Sequence, residues 1–250
     1  MKNITIKQLE TRKSIRNFTG ESVSDEDLQT IFKCAQRCPT SVNGQQISLI
    51  YTRNKEKIAQ IAKISGGQPQ VQSANVFVTF VIDFNRTNYA CSSIGKKQVI
   101  HQSAEGIIVG VVDAGIMLSS LQIAAEALGY GTTAIGGIRA NIGELIKLLE
   151  LPSLTFPIVG TTIGVATKKA KETPLKPRVP MESFVFEDVY DDKKVKEGVD
   201  QYEKDLKKFR NENHMDYLAS YKEQTAKYYE NIYFRQIKVY FEQQGFKFKD

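Results

Sequence analysis

The chain has 250 residues, 41% hydrophobic and 25% charged, which is ordinary globular usage and enough for a sizeable core without disulfide or metal staples. Lysine and arginine total 34 against 28 acids, a net charge of +6, yet residues 187–250 hold 13 basic and 14 acidic side chains. The positive excess therefore lies in the body, which argues against a basic nucleic-acid-binding arm and suits an anionic small molecule.

Ser24, followed by Asp25, Glu26 and Asp27, predicts a helix start, with the serine as cap and the acids at the positive end of the helix dipole. Leu28, Ile31, Phe32 and Ala35 mark its buried face, and Pro39 ends it. Residues 47–51 predict a strand. Ile58, Ile61, Ala62 and Ile64 predict a helix that stops at Gly66-Gly67. Residues 76–82 are almost wholly apolar and rich in valine and phenylalanine, which predicts a buried strand. Residues 85–98 are polar and irregular and predict a mobile loop.

Residues 104–128 carry the longest helical signal. Ile108, Val111, Val112, Gly115, Leu118, Ser119 and Ala125 are spaced for a helix packed on most sides, and Gly110, Ala114 and Gly115 would let another backbone approach. A core helix and a helix at a subunit interface both explain this pattern. Strands are predicted at 132–138 and 158–165, with a helix at 141–149 between them. Composition shifts near Pro180. Beyond it the chain is polar, aromatic and helical, at 195–209 and 217–241. The division expected is a body at 1–186 and a C-terminal helical extension at 187–250. That extension would pack across a partner subunit through Tyr228, Tyr229, Ile232, Tyr233 and Ile237.

Side-chain catalysis is poorly supplied. His101 and His214 are the only histidines, and neither has metal-ligand spacing around it. There is no nucleophile elbow, no Walker A sequence and no paired carboxylate, and Gly129-Tyr130-Gly131 lacks the context of a dinucleotide fingerprint. No metal is expected, and an organic cofactor is the natural carrier of any chemistry. Cys34, Cys38 and Cys91 are odd in number and form no disulfide framework. The first residues do not read as a signal peptide, and no stretch approaches the roughly 18 apolar residues of a membrane span. A cytoplasmic setting without membrane or nucleic-acid partners is the expectation.

Two clusters suit an anion. Arg12-Lys13-Ser14-Ile15-Arg16 gathers three cations and a hydroxyl, and Lys176-Pro177-Arg178 sets two cations on a proline-stiffened segment. A phosphate would accept charge-assisted hydrogen bonds from both. Solvated charge clusters are the plain alternative.

The stretch Arg12-Lys13-Ser14-Ile15-Arg16-Asn17-Phe18 resembles the N-terminal motif of the nitroreductase family. Gly66-Gly67-Gln68, the run from Ala134 to Asn141, Leu148-Leu149-Glu150-Leu151-Pro152 and the run from Leu175 to Pro180 follow in the order and spacing of that family's NADPH-linked flavin oxidoreductase and oxygen-insensitive major nitroreductase branch. The resemblance implies an α+β fold, a central and mainly antiparallel sheet flanked by helices, in a homodimer with two FMN sites. It implies that Arg12, Lys13 and Ser14 hold the FMN phosphate and ribityl end, joined by Lys176 and Arg178. Arg16 and Gln68 would meet the pyrimidine edge of the flavin. Ile135, Gly136 and Gly137 would bring backbone to its N5 and O4 edge, and Ser41 would reach FMN from the partner subunit. Lys207, Lys208 and Arg210 match a basic loop for the NADPH 2′-phosphate.

The implied activity is a ping-pong transfer of two electrons from NADPH or NADH to flavins, quinones or nitroaromatics, with no protein acid or base in the core step. Arginine at 12, where the branch often has histidine, and the sequence Cys38-Pro39-Thr40-Ser41-Val42-Asn43, where it has a serine-rich loop, depart from the pattern. A flavin-binding redox sensor without enzymatic activity and a flavin-dependent disulfide or peroxide reductase are the alternatives.

Overall fold

The structure is a computed structural model and describes residues 3–249. It contains four strands, β1 (Ile47–Thr52), β2 (Val76–Asp83), β3 (Tyr130–Ile135) and β4 (Thr155–Val165), all antiparallel in the order β1-β2-β4-β3. β2 is buried from Val76 to Ile82, which is why it reads as a continuous apolar run rather than an alternating one. Eleven helices accompany the sheet among the described residues.

The chain forms two compact units, one of Met1–Glu172 with Phe234–Asp250 and one of Thr173–Tyr233. In the first unit the sheet packs on the helix Ala104–Ala127, whose Ala114, Met117, Leu121 and Ala125 are buried in the main core. Gly110 lets it approach β2: an added Cβ would lie 2.6 Å from the Ile82 side chain. Phe241 of the last helix, Ile237–Gln243, and Phe246 just beyond it enter the same core. Phe241 stacks on Phe156 at 3.6 Å, a contact that contributes about 0.5–1.5 kcal/mol beyond its buried area.

The second unit is organised by the helix Asp192–Glu212. Gly198 seats against Ser183, Tyr202 meets Tyr221 edge-on at 5.0 Å, and Lys222 pairs with Asp200 at 2.6 Å. In the capping box of the helix Tyr221–Tyr229, Ser220 and Glu223 satisfy each other's backbone.

Several sequence expectations are corrected. Residues 85–98 do not form a loop throughout, because Asn85–Ser92 is helical. Its polar faces gave no periodic signal, and Phe84 is its buried anchor. The helix expected over 217–241 is two helices, Tyr221–Tyr229 and Ile237–Gln243, with Phe234 at φ 58° between them. The strand expected at 132–138 ends at Ile135 and turns into a 3₁₀ segment, Gly136–Arg139.

The helix Ala104–Ala127 is not packed on most sides, because Ile108, Val111, Val112 and Ile116 are exposed in the single chain. It also overturns the expectation about membrane-length stretches. An 18-residue window of mean hydropathy 1.9 makes it long and apolar enough to cross a membrane by length and composition. Asp113 and the scattered glycines and serines disguise that run. Its apolar surface serves two sides, one turned to the sheet and one uncovered.

Candidate cofactor site

Residues 12–18 lie along β3 and the end of β4. The Ile15 amide donates to the Thr132 carbonyl at 2.8 Å, the Thr133 hydroxyl donates to the Ile15 carbonyl, and Phe18 bridges to Ala166. Ile15 and Phe18 are buried, and Gly131 exists to admit Ile15, whose side chain would stand 2.6 Å from any added Cβ. Between these two anchors Ser14 is half-buried, while Arg16 is exposed and makes no hydrogen bond or ion pair among the described residues.

Arg12 turns to the central helix. It donates to Gln122 Oε1 at 2.7 Å and lies 3.6 Å from Glu126. Gln122 continues inward, donating to Thr161 at 3.0 Å. Burial pushes the Glu126 carboxyl above its ordinary value, against the opposing hydrogen bond from Thr132 and the charge of Arg12. Lys13 donates its ammonium to the Lys171 carbonyl.

The structure brings Gln68 and Gly137 together, 69 positions apart in sequence but touching in space. Gln68 donates to the Ser65 carbonyl at 3.0 Å and accepts from Gln70 at 2.5 Å. A Cβ on Gly137 would collide with the Gln68 amide and come within 2.8 Å of the Ser65 carbonyl. Ile135 is buried at the end of β3 and Gly136 opens the 3₁₀ segment, so the strand delivers a side-chain-free corner beside the half-buried Gln68 amide. The Ser65 hydroxyl is buried there without a hydrogen-bond partner.

Ser41 opens a 3₁₀ turn, Ser41–Asn43, where Val42, Asn43 and then Gln45 have φ of 46°, 55° and 51°. Its amide donates to both oxygens of Asp113, at 3.3 and 3.2 Å, and Gln46 donates to the same carboxylate at 2.5 Å. Asp113 is 4% exposed, and burial pushes its carboxyl above the ordinary value against the pull of those hydrogen bonds.

The remaining predicted residues belong to the second unit. Lys176 and Arg178 are exposed, and the Arg178 guanidinium turns back to the carbonyls of Lys176 and Pro177 at 3.3 and 3.2 Å. Lys207 is exposed, and Lys208 reaches Glu212 at 4.0 Å. Arg210 is buried and donates to the Leu218 and Ala219 carbonyls, so it braces its own segment. Lys207 and Arg210 line a cleft of about 500 Å³ within this unit. A separate cleft of about 560 Å³ between the helix Asp25–Gln36 and β1 contains none of the predicted residues.

Asp113, Gln46, Gln122 and Glu126 were not singled out in the sequence. The available signal was a lone carboxylate at 113 within an apolar helical run, a position where a charge needs a structural or functional reason.

Residues 9–165 match the Nitroreductase family, and residues 176–249 match the Nitroreductase family, C-terminal domain. The chain is 38% identical over 249 residues to "FMN reductase [NAD(P)H]" of Bacillus subtilis, covering 98% of each. It is 31% identical to "NADPH-flavin oxidoreductase" of Vibrio harveyi over 75% of each. The structure of B. megaterium NfrA2 superposes with a TM-score of 0.95 at 33% identity, covering all of both chains. A hypothetical oxidoreductase, YcnD, from Bacillus subtilis does so at 0.95 and 36%, again over both full lengths.

Proposed function

Because the chain belongs to the nitroreductase family, we propose that it is an FMN-dependent NAD(P)H oxidoreductase that reduces flavins, quinones or nitroaromatics. The observation that carries this reading is the side-chain-free corner at Gly136-Gly137 pressed against the Gln68 amide. A planar ring edge that needs backbone and amide hydrogen bonds fits such a corner, and the unpartnered Ser65 hydroxyl marks polar capacity left over there. The exposed, unpaired Arg16 fits an anion in the same way.

In this reading Arg12, Lys13, Ser14, Lys176 and Arg178 hold the FMN phosphate and ribityl end. Arg16 and Gln68 hold the pyrimidine edge, Ile135, Gly136 and Gly137 present backbone to the ring, and Ser41 serves the partner subunit's site. FMN, when bound, accepts hydride from the nicotinamide and passes two electrons to the acceptor. The chain's own contribution is to bind, orient and counter charge. Arg16 supplies a cation where negative charge develops. Glu126 draws on Arg12, so Arg12 brings less than a full charge to a phosphate.

The assembly is a homodimer in which the uncovered Ile108, Val111, Val112 and Ile116 of the central helix meet a second copy. This also accounts for a helix apolar enough for a membrane in a protein proposed to work in the cytoplasm with three free thiols. In this reading the C-terminal extension, 187–250, packs on the partner subunit rather than serving an independent function. Lys207 and Lys208 receive the 2′-phosphate of NADPH, with Arg210 positioning them.

Steady-state kinetics with NADPH and NADH against a panel of flavins, quinones and nitro compounds test the reading. Parallel double-reciprocal lines are expected, since reductant and acceptor use one site in turn. Intersecting lines, or no oxidation of either nicotinamide by protein supplied with FMN, contradict it.

A further inference from the structure

Asp113 is a buried acid that the proposed electron transfer does not use. Among the described residues no lysine or arginine pairs with it, and its partners are the Ser41 amide and the Gln46 side-chain amide. A carboxylate buried with hydrogen bonds alone is costly, so its retention calls for a reason.

The loop it grips supplies that reason. Val42, Asn43 and Gln45 all occupy the left-handed region, and Val42 is a β-branched residue that is 97% exposed. Nothing in the packing of Val42 holds it in that conformation. The loop is fixed at its two ends instead: Ser41 and Gln46 bind one carboxylate, and Arg86 donates to the Gln45 carbonyl. Strained backbone persists where its surroundings over-determine it.

We propose that Asp113 is a positioning residue for the FMN site, clamping residues 41–46 so that Ser41 is presented in a single preorganised conformation. The inference rests on the assignment of Ser41 to the flavin site made above. Asp113 also sits on the central helix between the uncovered Val112 and Ile116. One helix therefore carries both the proposed dimer face and the anchor of the loop that reaches across it.

Asp113→Asn tests the clamp. An asparagine still accepts from the Ser41 amide and can meet a turned Gln46 amide, but only through neutral hydrogen bonds, so the charge-assisted grip is lost. Amide hydrogen exchange on the FMN-free protein and FMN titration by flavin fluorescence are read together. Exchange at Ser41 should rise by about tenfold or more with β2 unchanged, and FMN affinity should fall by about tenfold, the scale of one hydrogen bond to a charged group.

The double variant D113N with Q46E restores a charge-assisted amide–carboxylate bond with the roles exchanged, and affinity should return to within about threefold of wild type. Gln46→Met keeps the buried volume and should give the same pattern at smaller amplitude, even if Asp113→Asn does not fold. Unchanged exchange at Ser41 in both single variants overturns the clamp. So does faster exchange with unaltered FMN affinity, or a double variant no better than D113N. If wild-type protein binds no FMN, the assignment of the flavin site fails, and the exchange data still decide whether Asp113 holds the loop.

Discussion

Residues 12–18 and residues 174–180 each carry cations assigned to the same kind of ligand, and different forces place them. The first segment is tied to β3 by backbone hydrogen bonds and by the burial of Ile15 and Phe18, so Ser14 and Arg16 fall where the sheet puts them. The second leaves Lys176 and Arg178 exposed, holds three of the chain's seven prolines, and has Arg178 bonded to its own neighbouring carbonyls. Sheet pairing fixes a side chain in relation to the core, whereas proline fixes only the local backbone. Substitutions around the first segment should therefore have large effects that salt barely alters. Those in the second should be smaller and salt-sensitive.

The largest effect is expected at the corner next to the sheet-tied segment. Gly137→Val forces a side chain into the Gln68 amide and the Ser65 carbonyl, and FMN affinity measured by fluorescence titration should fall by about 100-fold or more, roughly 2.8 kcal/mol. A valine variant that retains FMN normally would remove the corner from the site. Next, Arg16→Ala should lower kcat/KM by about 10- to 100-fold, the range of a lost charge-assisted contact of roughly 1.5–3 kcal/mol. Raising the salt concentration should leave that deficit nearly constant. A deficit that vanishes in high salt would put Arg16 among the loosely held cations.

Lys176→Ala and Arg178→Ala should each weaken FMN binding only about three- to tenfold at low salt and less at high salt, because exposed charges are screened. Losses as large as that of Arg16→Ala would erase the contrast between the segments.

The smallest effect concerns the frame of the first segment. Burial raises the folded pKa of Glu126 above its unfolded value, so the fold favours the protonated form. The stability this lends is complete below the unfolded value and is lost as pH rises through the folded one. Glu126→Gln stays neutral at every pH. Its Tm should exceed that of wild type by about 2 °C at neutral pH and converge with it below the ordinary glutamate value of 4.5. A lower Tm for the variant at neutral pH would show that the pairing with Arg12 outweighs burial.

Local rules made much of the framework legible in the sequence. Ser24 caps its helix by accepting from the Asp27 amide, and the apolar run of β2 is the buried strand it suggested. The motif around Arg12 to Phe18 pointed to the family, but its pairing with β3 depends on contacts more than 100 residues distant. For the same reason the Gln68–Gly137 contact lay beyond spacing arguments. The two faces of the central helix are indistinguishable in the sequence because both are apolar, and periodicity cannot say which is covered by the chain itself. Asp113 is silent in the sequence because a single carboxylate has no motif. Its importance is visible only with Ser41 and Gln46 converging on it.

The most direct test of the central claim is anaerobic reduction of FMN-loaded wild-type protein by NADPH, followed optically. The yellow flavin band should bleach on addition of NADPH and return when a quinone or free flavin is supplied. Protein that does not retain FMN, or whose bound flavin stays oxidised in the presence of both NADPH and NADH, would contradict the account.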